Sequence, residues 1–267
     1  MRSILHISDI HFGPPHLAPV AAGLLDLVHE RSPSLVAVSG DLTQRAKPGQ
    51  FAAARRYLDA MTPPVVVVPG NHDVPMYRFW ERLAAPFWAY RRHFSPHLET
   101  VHHDGDLFVA GINTAHNLTR KHGTVRHRRL RELRAAAATA APGSFKVVVA
   151  HHPLVRTPHL LGEPAVRRAR HAAAVFAEIG VELVLSGHVH IFFLGHSEDF
   201  YPNLPAHFRI LHAGTTTSRR GRGSERDRNS CNWIEFDAEH VTVQQLVWDA
   251  PRSGFVLGQG AAWTRTG

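Results

Sequence analysis

Five times along this chain a short apolar run stops against a block built from Asp, Asn, His and Gly. Arg2 to Ser8 runs into Asp9-Ile10-His11, Leu35 to Ser39 into Gly40-Asp41, and Val65 to Val68 into Pro69-Gly70-Asn71-His72-Asp73. Phe145 to Ala150 is followed by His151-His152-Pro153, and Val181 to Leu185 by Ser186-Gly187-His188-Val189-His190. An apolar run of this length bounded by turn residues is a buried strand. Open α/β sheets bind their ligands at the carboxyl edge, so five polar strand ends predict one shared crevice.

The segments between the runs are helical. Pro19 to Arg31 carries Leu24, Leu25, Leu27 and Val28 at helical spacing, and Pro48 to Met61 places Phe51, Ala54, Tyr57 and Leu58 on one face. Val125 to Ala140 and Ala165 to Ile179 are further helices. Pro75 to His93 is a helical stretch rich in aromatics (Tyr77, Phe79, Trp80, Phe87, Trp88, Tyr90), most of them expected in the core, with Trp80 to Tyr90 a candidate homodimer surface. Thr100 to His103 and Leu107 to Ile112 flank Asp104-Gly105, a hairpin signal. Phe208 to Ala213, Asn232 to Asp237 and Val241 to Trp248 alternate like antiparallel strands. This order predicts an α/β fold, a four-layer α-β-β-α sandwich of two mixed β-sheets flanked by helices, with the site at the C-terminal strand edge. Residues 1–250 are expected as one domain and 251–267 as a C-terminal surface tail.

Cys231 is the only cysteine, so a metal site must use nitrogen and oxygen ligands, in keeping with 22 histidines. Lys and Arg number 30 against 22 Asp and Glu, a formal charge of +8 that favours anionic partners such as phosphate esters. Nucleic acid is a less favoured partner, because no recognised binding motif accompanies the charge. No apolar run approaches the roughly 20 residues of a membrane helix. Met1 to Leu5 leads straight into a strand rather than a signal-peptide core, so the chain is expected to be soluble and cytoplasmic.

The five blocks deliver Asp, His, Asp, Asn, His, His and His to the shared crevice, a set that suits two divalent ions about 3.5–4 Å apart, bridged by a carboxylate and a water. The blocks D-x-H, G-D, G-N-H-D, H and G-H-x-H, in this order, resemble the calcineurin-like metallophosphoesterase superfamily from about Ile4 to His190. Within it the chain looks like the small bacterial phosphodiesterases related to class III cyclic-nucleotide phosphodiesterases. The resemblance implies that Asp9, His11 and His190 hold one metal, that Asn71, His151 and His188 hold another, and that Asp41 bridges them. It favours His151 over His152 as the ligand. It further implies attack of a metal-bridging hydroxide on a phosphodiester, with a protonated His72 stabilising the transition state or the leaving oxygen and Asp73 orienting its ring. Mn, Fe or Zn suits such a site.

A cyclic nucleotide or similar small diester is the expected substrate. A phosphomonoesterase, a pyrophosphohydrolase, a small nuclease, or a metal- or nucleotide-sensing module without turnover are the alternatives. Arg219, Arg220 and Arg222 form a local basic cluster. It reads either as a solvated, mobile loop or as a substrate clamp with bidentate guanidinium contacts to phosphate.

Overall fold

The computed structural model describes residues 1–119, 121–156 and 163–265. The first half winds β1 (Arg2–Ile7), α1 (Ala18–Arg31), β2 (Leu35–Val38), α2 (Pro48–Asp59) and β3 (Val65–Val67) into two successive parallel crossovers. Pro opens both helices, where its missing N–H costs nothing. Two short helices follow, α3 (Phe79–Ala84) and α4 (Trp88–His93), separated at Pro86, which cannot continue a helix.

The second half contains β4 (Thr100–Asp104), β5 (Leu107–Ile112), α5 (His127–Ala137), β6 (Phe145–Ala150), α6 (Ala169–Glu178), β7 (Leu183–Ser186), β8 (Phe193–His196) and β9 (Arg209–His212). β10 (Ser230–Phe236), β11 (His240–Asp249) and β12 (Gly254–Thr264) then return to the first sheet. One sheet has the order β12-β11-β10-β1-β2-β3 and the other β4-β5-β6-β7-β9-β8. Both are mixed: β1, β2 and β3 run parallel, as do β5, β6, β7 and β9, while antiparallel β10, β11 and β12 extend the first sheet and β4 and β8 pair antiparallel at the edges of the second.

Three hydrophobic layers hold the sandwich together. Ile4, Ala37 and Val66 of one sheet meet Val109, Val147 and Leu185 of the other between the sheets. Their strand neighbours point the opposite way, Leu5, Ile7 and Val38 toward Leu24, Phe51 and Leu58 of α1 and α2, and Ala110, Val148 and Val184 toward Leu133 and Phe176 of α5 and α6. Strands buried on both faces read as unbroken apolar runs, which is why these five stood out in the sequence. The expected four-layer α-β-β-α arrangement is the one found.

Four local readings change. Asp104 pairs with Leu107, so Gly105, at φ +56°, and Asp106 form the centre of the hairpin turn. β9 runs parallel to β7 instead of continuing an antiparallel series, and its antiparallel partner β8 is a four-residue, half-buried edge strand with too little pattern to announce itself. The segment expected as a surface tail forms β12, an edge strand joined to β11 by backbone pairing while most of its side chains face solvent; residues 266–267 of that segment lie outside the described residues. Backbone pairing needs no apolar alternation, so composition alone could not signal it. Most of the aromatics around α3 and α4 are also not core: Tyr77 is 73% and Trp80 79% exposed, and Phe79 and Trp88 are exposed too. Tyr90 is the buried one, and its hydroxyl donates to the Val67 carbonyl at 3.0 Å.

Candidate active site

The polar blocks after β1, β2, β3, β6 and β7 converge at one edge, where the two sheets close on each other. The approach depends on glycine. Gly40 sits at φ +92°, and a Cβ there would lie 2.7 Å from His151 Nδ1. A Cβ on Gly187 would collide with Ser8 and the Asp9 carboxylate. Asp9, His11, Asp41, His188 and His190 all have positive φ, between 43° and 68°. Asp and His tolerate that region better than most residues, yet each such residue stores of the order of 1–3 kcal/mol. Backbone bonds from Asp9 N to Gly40 O (3.0 Å) and His11 N to Asp41 O (3.0 Å) hold the strained turns against each other.

The donor atoms form two groups. In the first, His190 Nε2 lies 2.8 Å from Asp9 Oδ1, and His11 Nε2 lies 3.6 Å from Asp9 Oδ1 and 3.7 Å from Asp41 Oδ2. The other Asp9 oxygen accepts from Ser8 Oγ (2.6 Å) and His188 N (3.0 Å), whereas Oδ1 is buried without a hydrogen bond. His190 Nδ1 donates to the Arg220 carbonyl at 2.5 Å, which leaves Nε2 as the ring atom that faces Asp9 Oδ1. Asp9, His11, Asp41 and His190 thus bring four buried donor side chains close enough together to hold one cation.

The second group repeats this logic with neutral side chains. His151 Nδ1 donates to the Ser39 carbonyl (2.8 Å), leaving the Nε2 lone pair 3.0 Å from Asn71 Oδ1 and 3.4 Å from Asp41 Oδ1. His188 Nδ1 lies 2.9 Å from Asn71 Oδ1 and 3.3 Å from His151 Nε2. Asp41 thus presents Oδ2 to the first group and Oδ1 to the second. Burial, the Asp9 charge and the Asp73 charge push its carboxyl well above the usual range. Asp9 itself is raised by burial but held well below that range overall by His190 and His11. A dication beside both carboxylates relieves their repulsion, so the donor set fits two metal ions.

All seven expected ligands therefore meet at one place. His152 stands beside them, its ring centre 4.9 Å from that of His151, but its Nδ1 is engaged with Thr114 Oγ1 at 2.8 Å. One ligand atom of His152 nevertheless lies within 4.8 Å of those of His151 and His188, so the three imidazoles form a candidate metal-holding group.

Two expectations about His72 fail. Asp73 does not orient its ring: that carboxylate accepts from the Leu42, Thr43 and Gly70 amides at 2.9–3.0 Å and ties the second and third strand ends together. The Gln44 carbonyl orients the ring instead, accepting from Nδ1 at 2.9 Å. Nor is the ring protonated at neutral pH in this structure. Burial, against the Gln44 hydrogen bond and with help from Arg220, pushes it down to about 3. His72 nevertheless lines the mouth of the site, with Nε2 3.5 Å from Arg220 Nη2.

The basic cluster divides. Arg220 lies in the site, Arg222 pairs with Glu163 at 2.8 Å, and Arg219 is exposed outside. Buried Glu225 anchors the segment through Phe192 N (3.0 Å), Ser230 Oγ (3.0 Å) and Gln245 Nε2 (2.7 Å). Arg220 and Arg222 are thereby held in place instead of forming a loose solvated loop.

Glu163 escaped the sequence reading. It lies in a non-periodic stretch, yet its Oε2 is 3.6 Å from His188 Nε2. His188 and Arg222 together hold this carboxyl down to about 2, against burial. Thr215 and Thr217 were missed as well; their hydroxyls donate to the Asp9 (2.8 Å) and Ile10 (3.1 Å) carbonyls and brace the first turn. A cavity of about 240 Å³ opens over the donors, with Arg45, Lys121, Arg220 and Arg222 among its walls.

Comparison with known proteins agrees with this architecture. A segment of 80 residues is 35% identical to glycerophosphodiester phosphodiesterase GpdQ of Enterobacter lignolyticus, covering 26% of this chain and 29% of that protein. Another of 81 residues is 32% identical to a probable cyclic nucleotide phosphodiesterase of Synechococcus sp., covering 27% and 32%. The matches thus span less than a third of either relative. Over the whole fold the chain is similar to a dimetal phosphatase from Danio rerio, with TM-score 0.68, 10% identity and 99% of each chain covered. It is also similar to the purple acid phosphatase PPD1 of Lupinus luteus, with TM-score 0.74, 10% identity, and 99% of this chain and 54% of that one covered. At such identities the structures speak for the fold alone. The profile of the calcineurin-like phosphoesterases matches residues 2–192, which include all five donor blocks. The chain belongs to the calcineurin-like phosphoesterase family.

Proposed function

We propose that the protein is a dinuclear metal-dependent phosphodiesterase. The observation that carries this reading is the Asp41 carboxylate, whose two oxygens face separate groups of convergent lone pairs. Asp9, His11 and His190 complete the first metal site; Asn71, His151 and His188 complete the second. Two such ions, when bound, polarise phosphoryl oxygens and lower the pKa of a bound water. The chain's own residues supply the rest. Arg220 and Lys121 offset the charge of a phosphate in the cavity, and the neutral His72 turns its Nε2 toward the same space. Diester rather than monoester chemistry is supported by the names of the two sequence relatives, both phosphodiesterases.

The test strips the protein with chelator, restores Mn²⁺, counts bound metal, and compares an activated phosphodiester with its matching monoester, in wild type and His188→Ala. Two ions per chain and diester turnover that the substitution abolishes are expected. Faster monoester turnover would make the protein a phosphatase. Two bound ions with no turnover of either would favour a sensing module.

A further inference from the structure

We infer that the substrate carries a second, terminal phosphate, held in a basic cavity beside the donor groups; this rests on the phosphodiesterase reading above. An outer cavity of about 560 Å³ adjoins the inner one. Arg45 and Arg220 line both, whereas Lys47 and Arg219 line only the outer cavity, and Asn71 and His188 only the inner. An anion between Lys47 and Arg219 is therefore separate from the one at the donor groups, with the two shared arginines between them.

No carboxylate lines the outer cavity. Arg222 is neutralised by Glu163, but among the described residues no carboxylate forms an ion pair with Arg45, Lys47, Arg219 or Arg220. The backbone that carries Arg219 and Arg220 is fixed. Arg219 N donates to the Pro15 carbonyl at 2.9 Å, and the Arg220 carbonyl accepts from His190 Nδ1. Arg220 Nε is buried with no hydrogen-bond partner. Four cations around one cavity with no carboxylate in its walls give a positive field that favours a second anionic group on the ligand.

A simple diester brings one negative charge, which the inner site takes up. A phosphate monoester brings about −1.5 to −2 and three acceptor oxygens, which suit the forked donors of Arg219 and Arg220. A diester ending in an uncharged alcohol offers Lys47 and Arg219 a hydroxyl but no charge to pair with.

The test compares kcat/KM for the thymidine dinucleotide phosphodiester with and without a 5′-terminal phosphate. Calorimetric binding of thymidine 3′,5′-bisphosphate and thymidine 3′-monophosphate runs beside it, in wild type and in the Lys47→Gln/Arg219→Gln double variant. In wild type the extra phosphate is expected to raise kcat/KM at least about tenfold, through KM, and to tighten binding by a similar factor. Both ratios should fall toward unity in the double variant and shrink as salt is added. Ratios near unity in wild type, or ratios that survive the double substitution, overturn the inference. If neither dinucleotide is hydrolysed, turnover of the activated diester decides the phosphodiesterase reading, and the binding ratio still decides the second phosphate by itself.

Discussion

The two donor groups share Asp41 but solve the problem of holding a cation differently. Asp9, His11, Asp41 and His190 are buried, include two carboxylates, and all four have left-handed backbone. Of Asn71, His151 and His188, only His188 has that backbone, and none carries a carboxylate. The first group is thus a rigid, charged clamp formed where two strained turns lock together. The second depends on the Asp41 oxygen it borrows and on Glu163 behind His188. A carboxylate behind a ligating imidazole fixes the tautomer and makes the ligand more basic. The first group is expected to retain its ion more tightly than the second when chelator is titrated in.

The shared carboxylate gives the largest expected effect. Asp41→Asn removes the charge common to both groups, so metal content should fall from two ions toward none and diester turnover by about 10³-fold or more. Retention of one full equivalent in the first group would show that the groups are independent after all.

Glu163→Gln separates them. Loss of an outer carboxylate costs about 10–100-fold in metal affinity or activity, and here the loss should fall on the more weakly held ion alone. Equal weakening of both ions in a metal titration would remove Glu163 from the second group's support.

The smallest effect tests whether a buried imidazole needs a metal role at all. His6 is buried against Ser39 Oγ (2.9 Å) and Asn232 Nδ2 (3.2 Å), outside both donor groups, and burial pushes it down to about 3 from an ordinary 6.5. Between those values the unfolded chain binds a proton that the folded chain does not. Stability therefore falls as pH drops from about 6.5 toward 3, by up to about 1.4 kcal/mol per pH unit from this group, and is unaffected by it above 6.5. The thermal midpoint of His6→Gln should fall less between pH 7 and pH 5 than that of wild type. Parallel falls would assign acid sensitivity to the ligand histidines instead.

The core strands and the seven donors were legible because both are periodic or contiguous in the chain. An apolar run buried on two faces and a polar block at its end leave their mark within ten residues. Asp73 shows the limit. Its place next to His72 in sequence suggests that it steers the ring, but the 3-10 turn Asn71–Asp73 points its carboxylate at three amides instead. The group that does steer His72 is the Gln44 carbonyl, a backbone atom with no residue-type signal.

The sequence by itself determined the alternation of buried strands and helices, the oxygen and nitrogen character of the site, and the family. Only the tertiary structure decided which oxygen of Asp41 faces which group, that Glu163 stands behind His188, and that Arg220 lines both cavities while Arg219 lines only the outer one. Those outcomes depend on distances between residues far apart in the chain, set by how two sheets pack and how strained turns interlock. Local propensity and residue spacing contain no information about such distances.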